Sequence, residues 1–168
     1  MIKISQVTTP EQLDAVRMLM RAFSEWHYDR HGEYRDLIDQ YFNKKTFEAE
    51  LRDLPGEFSP PKGRLLVATN GNNFVGCVAL RDIGEGVCEM KRLFVLPKYQ
   101  GQGAGLSLAD AIISEAREIG YHLMRLDTGP NSIEAQDIYR KIGFREIPPY
   151  YNIDCRMRDW LTFMERAL

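Results

Sequence analysis

An α/β domain with a mixed central sheet flanked by helices is the fold class this sequence predicts, and three observations predict it. Apolar runs of strand length recur along the chain, among them "RLLVATN", "NFVGCVALRDI" and "VCEMKRLFVL". Stretches with apolar residues at helical spacing lie between and around them. One strand-like run is joined to a long amphipathic stretch by a loop with glycines at alternating positions, "KYQGQGAG". Read in order, the elements run β α α β β β α β α β β.

Each element has its own signal. "IKISQVT" reads as a short first strand. Thr9 and Pro10 then supply an N-cap and a first-turn proline. Leu13, Val16, Leu19, Met20 and Phe23 follow at helical spacing and predict a helix to about Trp26. "YRDLIDQYFNKKTFEAELRDL" predicts a second helix and "PGEFSPPKG" a loop. Gly71, Asn72 and Asn73 mark a hairpin between the next two strands. "VCEMKRLFVL" is the strand closed by Pro97, and the segment from Ala104 to Ile119 is a long helix stopped by Gly120. "HLMRLDT" predicts a strand, "SIEAQDIYRKI" a short helix ended by Gly143, "FREI" a strand and "WLTFMERAL" the last one.

Length and composition narrow the class. The 168 residues suit one domain spanning 1–168, and 44% hydrophobic with 27% charged residues suits a packed core in water. A formal charge of -2 gives no electrostatic case for nucleic acid or an anionic membrane. No apolar run has the length of a bilayer span, and the N-terminus lacks the pattern of a signal peptide. Cys77, Cys88 and Cys155 form no CxxC motif and cannot all pair, so a reduced cytoplasmic compartment and buried or half-buried thiols are expected.

The three glycines ask for a ligand. A strand, a glycine loop and a helix N-terminus together form an anion-binding geometry, because unpaired N–H groups and the positive end of the helix dipole meet there. Glycine also permits positive φ and close approach of the backbone. A Walker loop needs Lys-Ser/Thr at its end, whereas Gly105 is followed by Leu106 and Ser107. A dinucleotide fold needs G-x-G-x-x-G; the spacing here is G-x-G-x-G, although Asp127 stands where a ribose-binding acid would be sought.

Gln100-x-x-Gly103-x-Gly105 resembles instead the acyl-CoA signature of the GCN5-related N-acetyltransferases (GNAT). "AQDIYRKIGF" is similar to a second segment of that family, with Ala135, Tyr139, Gly143 and Phe144 in place, and "CEMKRLFVLPKYQ" resembles its fourth strand. The motifs cover roughly Val87 to Ile147. The resemblance implies a mostly antiparallel sheet splayed between its fourth and fifth strands. It implies acetyl-CoA as co-substrate, without a metal: its pyrophosphate on the backbone of Gln100, Gly101, Gln102, Gly103, Ala104 and Gly105, its pantetheine arm paired with Leu93, Phe94 and Val95 as a missing strand. Where relatives carry an Asn seven residues before the Tyr, this chain has Ser132. Asn131, one residue earlier, either binds the pantetheine or caps the following helix.

Acetyl transfer to an amine needs a neutral amine, a polarised carbonyl and a protonated leaving thiolate. The resemblance assigns the acid to Tyr139, which also counts among the cofactor-binding residues, orienting the sulfur being its alternative role. Glu89 is the candidate base, with Asp127 as an alternative. Strand alternation puts Glu89, Lys91, Leu93 and Val95 on one face and Cys88, Met90, Arg92 and Phe94 on the other; a salt bridge is the competing role for Glu89. Trp26, His27, Tyr150 and Tyr151 are candidate acceptor-site residues. His27 and His31 stand at i, i+4, but no third ligand or H-E-x-x-H motif accompanies them, so no metal is expected.

The expected activity is transfer of an acetyl group to a primary amine of a small-molecule or amino-acid-like acceptor, by direct attack in a ternary complex. A protein N-terminus or lysine as acceptor, or a non-catalytic CoA-binding sensor, are the rival readings. A homodimer through the C-terminal strands is a further expectation drawn from the resemblance.

Overall fold

The computed structural model describes residues 1–168. Seven strands form one sheet: β1 (Ile2–Gln6), β2 (Arg64–Asn70), β3 (Asn73–Asp82), β4 (Val87–Val95), β5 (Leu123–Thr128), β6 (Arg145–Ile147) and β7 (Thr162–Ala167). Their spatial order is β1-β2-β3-β4-β5-β7-β6. Every neighbouring pair is antiparallel except β4 and β5. That mixed sheet is the one expected.

Side-chain alternation builds a helix layer on each face. Leu66, Ala68, Val78 and Leu80 point to one face, where helix α4 (Ala104–Ile119) brings Leu108, Ile112 and Ala116. Leu65, Val67, Cys77 and Ala79 point to the other, against Val16, Leu19 and Met20 of α1 (Pro10–Arg30) and Leu51 of α3 (Lys44–Asp53). Because both faces are covered, β2 and β3 read as near-continuous apolar runs.

The caps explain the helix boundaries. Thr9 accepts from Gln12 N at 3.2 Å while the Gln12 side chain accepts from Thr9 N at 3.1 Å, a reciprocal capping box. From there α1 runs on to Arg30, one turn past the expected Trp26, since "HYDR" continues it without a breaker. The expected second helix is two: α2 (Arg35–Tyr41) stops at Phe42, and Asn43 caps α3 by accepting from the N–H groups of Lys45 and Thr46. The segment before β7 also holds a short helix, α6 (Cys155–Trp160), capped by Asp154. Between β5 and β6 lies α5 (Ile133–Lys141). Cys155 is exposed, against expectation, because it opens α6 on the solvent side. Cys77 and Cys88 are buried, and burial pushes both thiols up to about 12.

Two features of β4 create a cleft. Its pairing with β5 ends after Glu89 and Arg125, although both strands continue, so the sheet splays from Met90 onward. Second, β4 carries a bulge: Phe94 opposes Cys77 but Lys91 opposes Ala79, and Arg92 takes a positive φ of 58°. The extra residue interrupts alternation. Lys91 lies over Tyr41, and Arg92 over Phe42 and Phe47, on the α1 side; Leu93 and Val95 pack toward α4 with Met90. The expected face assignment therefore holds up to Lys91 and reverses beyond it.

Candidate active site

The cleft opened by the splay is a cavity of about 340 Å³ that runs between the free halves of β4 and β5. One end is the glycine loop. Gly101 and Gly103 have φ of 73° and 85°, and a Cβ at either would meet nothing. Glycine is needed there for backbone conformation. Gly105 has a different reason: a Cβ would lie 3.1 Å from Ile138 Cδ1, so its bareness lets α5 pack against the start of α4. The first backbone bond of α4 runs from Ser107 N to Gly103 O, and the N–H groups from Gly101 to Leu106 have no partner in the chain. These free donors at a helix N-terminus suit a phosphate group. Gln100 lines the cavity and donates to Val95 O at 2.9 Å, tying the loop to the end of β4; Gln102 donates to Lys98 O at 3.3 Å from the exposed side. Ala104 is buried behind the loop.

Leu93, Phe94 and Val95 line the middle of the cavity, opposite Thr128, Ser132 and Tyr139. From Met90 on, β4 has no strand partner on the β5 side. Tyr139 is buried, packs on Phe144 with ring centroids 5.7 Å apart, and its hydroxyl has no hydrogen-bond partner in the chain. Burial, with a smaller contribution from the Asp127 charge, raises its pKa above that of a free phenol, so the group is a neutral O–H at pH 7. Asn131 is turned toward α1. Its amide donates to Arg30 O at 3.0 Å, it lies outside the cavity lining, and the N-cap of α5 is Ser132. The residue is drawn away because the end of α1 docks on this loop through the Arg30–Glu134 ion pair at 2.6 Å.

The far end of the cavity is aromatic. Phe23, Trp26, His27, Phe42, Phe94 and Trp160 form its wall. Phe23 is the hub, with centroids 5.2 Å from Phe94, 4.5 Å from His27 and 5.8 Å from Phe42. The Trp160 indole N–H is one of two buried side-chain polar atoms in the molecule without a partner, and such an orphan at a cavity wall is a pointer to a ligand.

Two carboxylates were candidates for the base, and the structure separates them. Glu89 is 1% exposed and does not line the cavity. Its Oε1 meets Arg81 at 2.7 Å and Lys91 at 3.6 Å, and its Oε2 accepts from Tyr150 at 2.5 Å. Position explains this: Glu89 sits in the paired half of β4, before the splay, opposite Arg81 in register. Asp127 is on the free half of β5 and does line the cavity. It accepts from Tyr41 at 2.5 Å and from Tyr151 at 2.8 Å. A second hollow of about 320 Å³ lies beyond it, sharing Tyr41, Lys91, Arg92 and Asp127 with the first and adding Tyr151. Of the four expected acceptor residues, Trp26 and His27 line the main cavity, Tyr151 lines the second hollow, and Tyr150 is set back on Glu89. Phe23, Tyr41 and Trp160 are wall residues that sequence reasoning missed; an aromatic at helical spacing looks the same whether it packs in a core or lines a hollow.

Fold and site together define an acyl-CoA-type N-acyltransferase, and comparison with known proteins agrees. The profile of the Acetyltransferase (GNAT) family matches residues 16–144. An uncharacterized N-acetyltransferase of Schizosaccharomyces pombe is 33% identical over 153 residues, covering 90% of this chain and 87% of that protein. An IAA acetyltransferase of Azospirillum brasilense is 37% identical over 117 residues, covering 69% of this chain and 74% of its own. The structure of PaiA N-acetyltransferase from Thermoplasma acidophilum in complex with coenzyme A has the same fold, with a TM-score of 0.73 at 20% identity, covering 100% of this chain and 99% of that one. An acetyltransferase from Streptococcus agalactiae matches with a TM-score of 0.74 at 20% identity, over 99% and 98% of the two chains. The chain belongs to the GNAT family of acetyltransferases and is an N-acetyltransferase.

Proposed function

We propose that residues 1–168 form one catalytic domain that transfers the acetyl group of acetyl-CoA to a primary amine of a small molecule by direct attack in a ternary complex. The observation that carries this reading is the union of three features in one cleft: unpaired N–H groups from Gly101 to Leu106, an unpaired edge on β4, and an aromatic chamber beyond them. The loop N–H groups would take the diphosphate, and the free edge at Leu93, Phe94 and Val95 would take the amides of the pantetheine arm. The acceptor enters from the aromatic end.

Asp127 is the group assigned to the amine. Two hydroxyl donors fix its orientation, so it serves as a positioned carboxylate that seats the ammonium and relays its proton, directly or through water. The amine nitrogen then bonds to the acetyl carbonyl carbon, the C–S bond breaks, the thiolate takes a proton from Tyr139, and the second proton shed by the nitrogen restores the Tyr139 hydroxyl. A neutral tyrosine hydroxyl on the cavity wall suits that donation. Glu89 is assigned a structural task, holding Arg81, Lys91 and Tyr150 together. The enclosing wall of Trp26, Phe42 and Trp160 favours a small acceptor over a protein chain.

Calorimetry with acetyl-CoA, followed by an acetylation screen of small amines, tests the reading. Micromolar binding and turnover of a small amine support it. In Tyr139→Phe, retained binding with kcat reduced roughly hundredfold supports the acid role. Binding without turnover of any amine points to a sensor, and absence of acetyl-CoA binding defeats the proposal.

A further inference from the structure

Two imidazoles at the end of α1, His27 and His31, are not used in the chemistry above. Their rings stack with centroids 5.2 Å apart and an interplanar angle of 23°. His31 is fully buried, and its Nε2 lies 3.1 Å from the backbone N of Asn131. A backbone amide can only donate, so His31 Nε2 carries no hydrogen and the neutral ring bears its proton on Nδ1. That Nδ1 faces His27 O at 3.2 Å and His27 Nδ1 at 3.4 Å. A second hydrogen on His27 Nδ1 would oppose the first, so His27 is protonated on Nε2. Burial first, then the repulsion that protonating both rings of the His27–His31 pair would create, and the charges of Arg92 and Arg30, hold the His27 pKa down to about 3 against the pull of Asp127, so the ring is neutral. Its Nε2 has no partner in the chain, and the residue lines the aromatic end of the cavity.

The arrangement is built into the backbone as well. A Cβ on Gly129 would stand 3.0 Å from His31 Nε2, so the bare position lets His31 reach the loop. Arg30 donates to Asn131 O at 3.1 Å and Asn131 donates back to Arg30 O, clamping the same loop to α1.

We propose that His27 is a specificity-determining hydrogen-bond donor, its Nε2–H fixed in place by the chain Asn131 N–H, His31, His27, and that it receives a carbonyl-type oxygen on an acceptor amine whose apolar body rests against Phe23, Trp26 and Phe42. This rests on the acetyltransferase reading and narrows it. The acceptor class is an aryl- or alkyl-bearing amine with such an oxygen, for example an amide or ester of an apolar amino acid. A polyamine has no oxygen for His27 and no apolar ring for the walls.

Two measurements test it. Imidazole nitrogen NMR on the uniformly ¹⁵N-labelled protein alone reads the tautomers without turnover. Nε2–H on His27 and Nδ1–H on His31 are expected, with the His27 ring not titrating between about pH 5 and 8. A proton on His31 Nε2 or His27 Nδ1 overturns the proposal. The second measurement compares phenylalaninamide with phenethylamine, which has the same body and no carbonyl. In His27→Phe, the ratio of the KM for phenylalaninamide to that for phenethylamine should rise about tenfold, whatever the common change from the altered wall. His27→Gln, whose amide N–H falls near the position of Nε2, should restore most of the difference, which a merely structural role would not do. Equal changes for both amines overturn the proposal. So does turnover of neither amine when acetyl-CoA still binds; failure to bind acetyl-CoA at all instead strikes the acetyltransferase reading, and the NMR result then stands by itself.

Discussion

Tyr41 donates a 2.5 Å hydrogen bond to Asp127, and this pair stands between the two hollows of the cleft. The contact joins α2 to the free half of β5. Burial, followed by the Asp127 charge, raises the Tyr41 pKa well above that of a free phenol, so the proton stays on the tyrosine, which donates to the carboxylate. A carboxylate held in this way at an aromatic wall is suited to draw in an ammonium group. Asp127→Asn is expected to lower kcat/KM roughly hundredfold, and Tyr41→Phe about tenfold, with acetyl-CoA affinity unchanged within about twofold in both. Steady-state kinetics beside calorimetry checks this; normal turnover in Asp127→Asn removes Asp127 from the mechanism.

Glu89 makes the opposite prediction. It is buried with Arg81 and Lys91 around it, so its removal leaves cations with an incomplete set of partners. Glu89→Ala should cost roughly 3 kcal/mol of stability in urea denaturation, with kcat changed less than about threefold at a temperature where the variant is folded. A hundredfold loss of kcat in a variant of unchanged stability would return the base role to Glu89.

The glycine loop is tested by Gly103→Ala. No atom obstructs a Cβ there, but the φ of 85° is unfavourable for alanine by about 1–2 kcal/mol. The loop is expected to relax, with acetyl-CoA binding weakened about tenfold and a modest fall in melting temperature. Unchanged binding would mean that the loop N–H groups do not hold the ligand.

Acid stability follows from His27. Its pKa is depressed to about 3 in the fold, while the unfolded chain titrates near 6.5. Between those values the unfolded state binds more protons, so stability is full above about pH 6.5 and is lost as pH falls toward about 3. His31, also lowered chiefly by burial, acts in the same direction. From pH 7.5 to pH 5, wild-type protein should lose about 2 kcal/mol more than His27→Phe, since each pH unit below the unfolded value costs about 1.4 kcal/mol per proton. Parallel denaturation series at the two pH values measure this directly; equal losses mean that His27 is protonated in the fold.

Much of the architecture was readable in the residues. Local signals act over a few positions, and they survive folding. Thr9–Pro10 started a helix, Gly71 with its two asparagines turned a hairpin, and the glycines of the loop marked a helix N-terminus because only glycine tolerates φ near 80°. What failed was a boundary without a breaker, as at the end of α1, a break made by a capping side chain inside a continuous amphipathic run, as at Asn43, or a helix too short to show a period, as in the six residues of α6.

The sequence by itself determined the order of the strands, the position of the glycine loop and the helix that carries Tyr139, since each depends on neighbours along the chain. Only the tertiary structure decided which carboxylate faces the cavity. Glu89 and Asp127 are both acidic residues within apolar strands, and nothing local tells them apart. The point where β4 leaves β5 does: Glu89 lies before it, sealed among Arg81, Lys91 and Tyr150, and Asp127 lies beyond it, open to the cleft. The same holds for the bulge at Arg92, which needs no special residue type and yet reverses the faces of the strand, and for the His31–Asn131 contact, which joins residues 100 positions apart. Pairing register and long-range contact are settled by packing of the whole chain, and a single strand read alone carries no record of them.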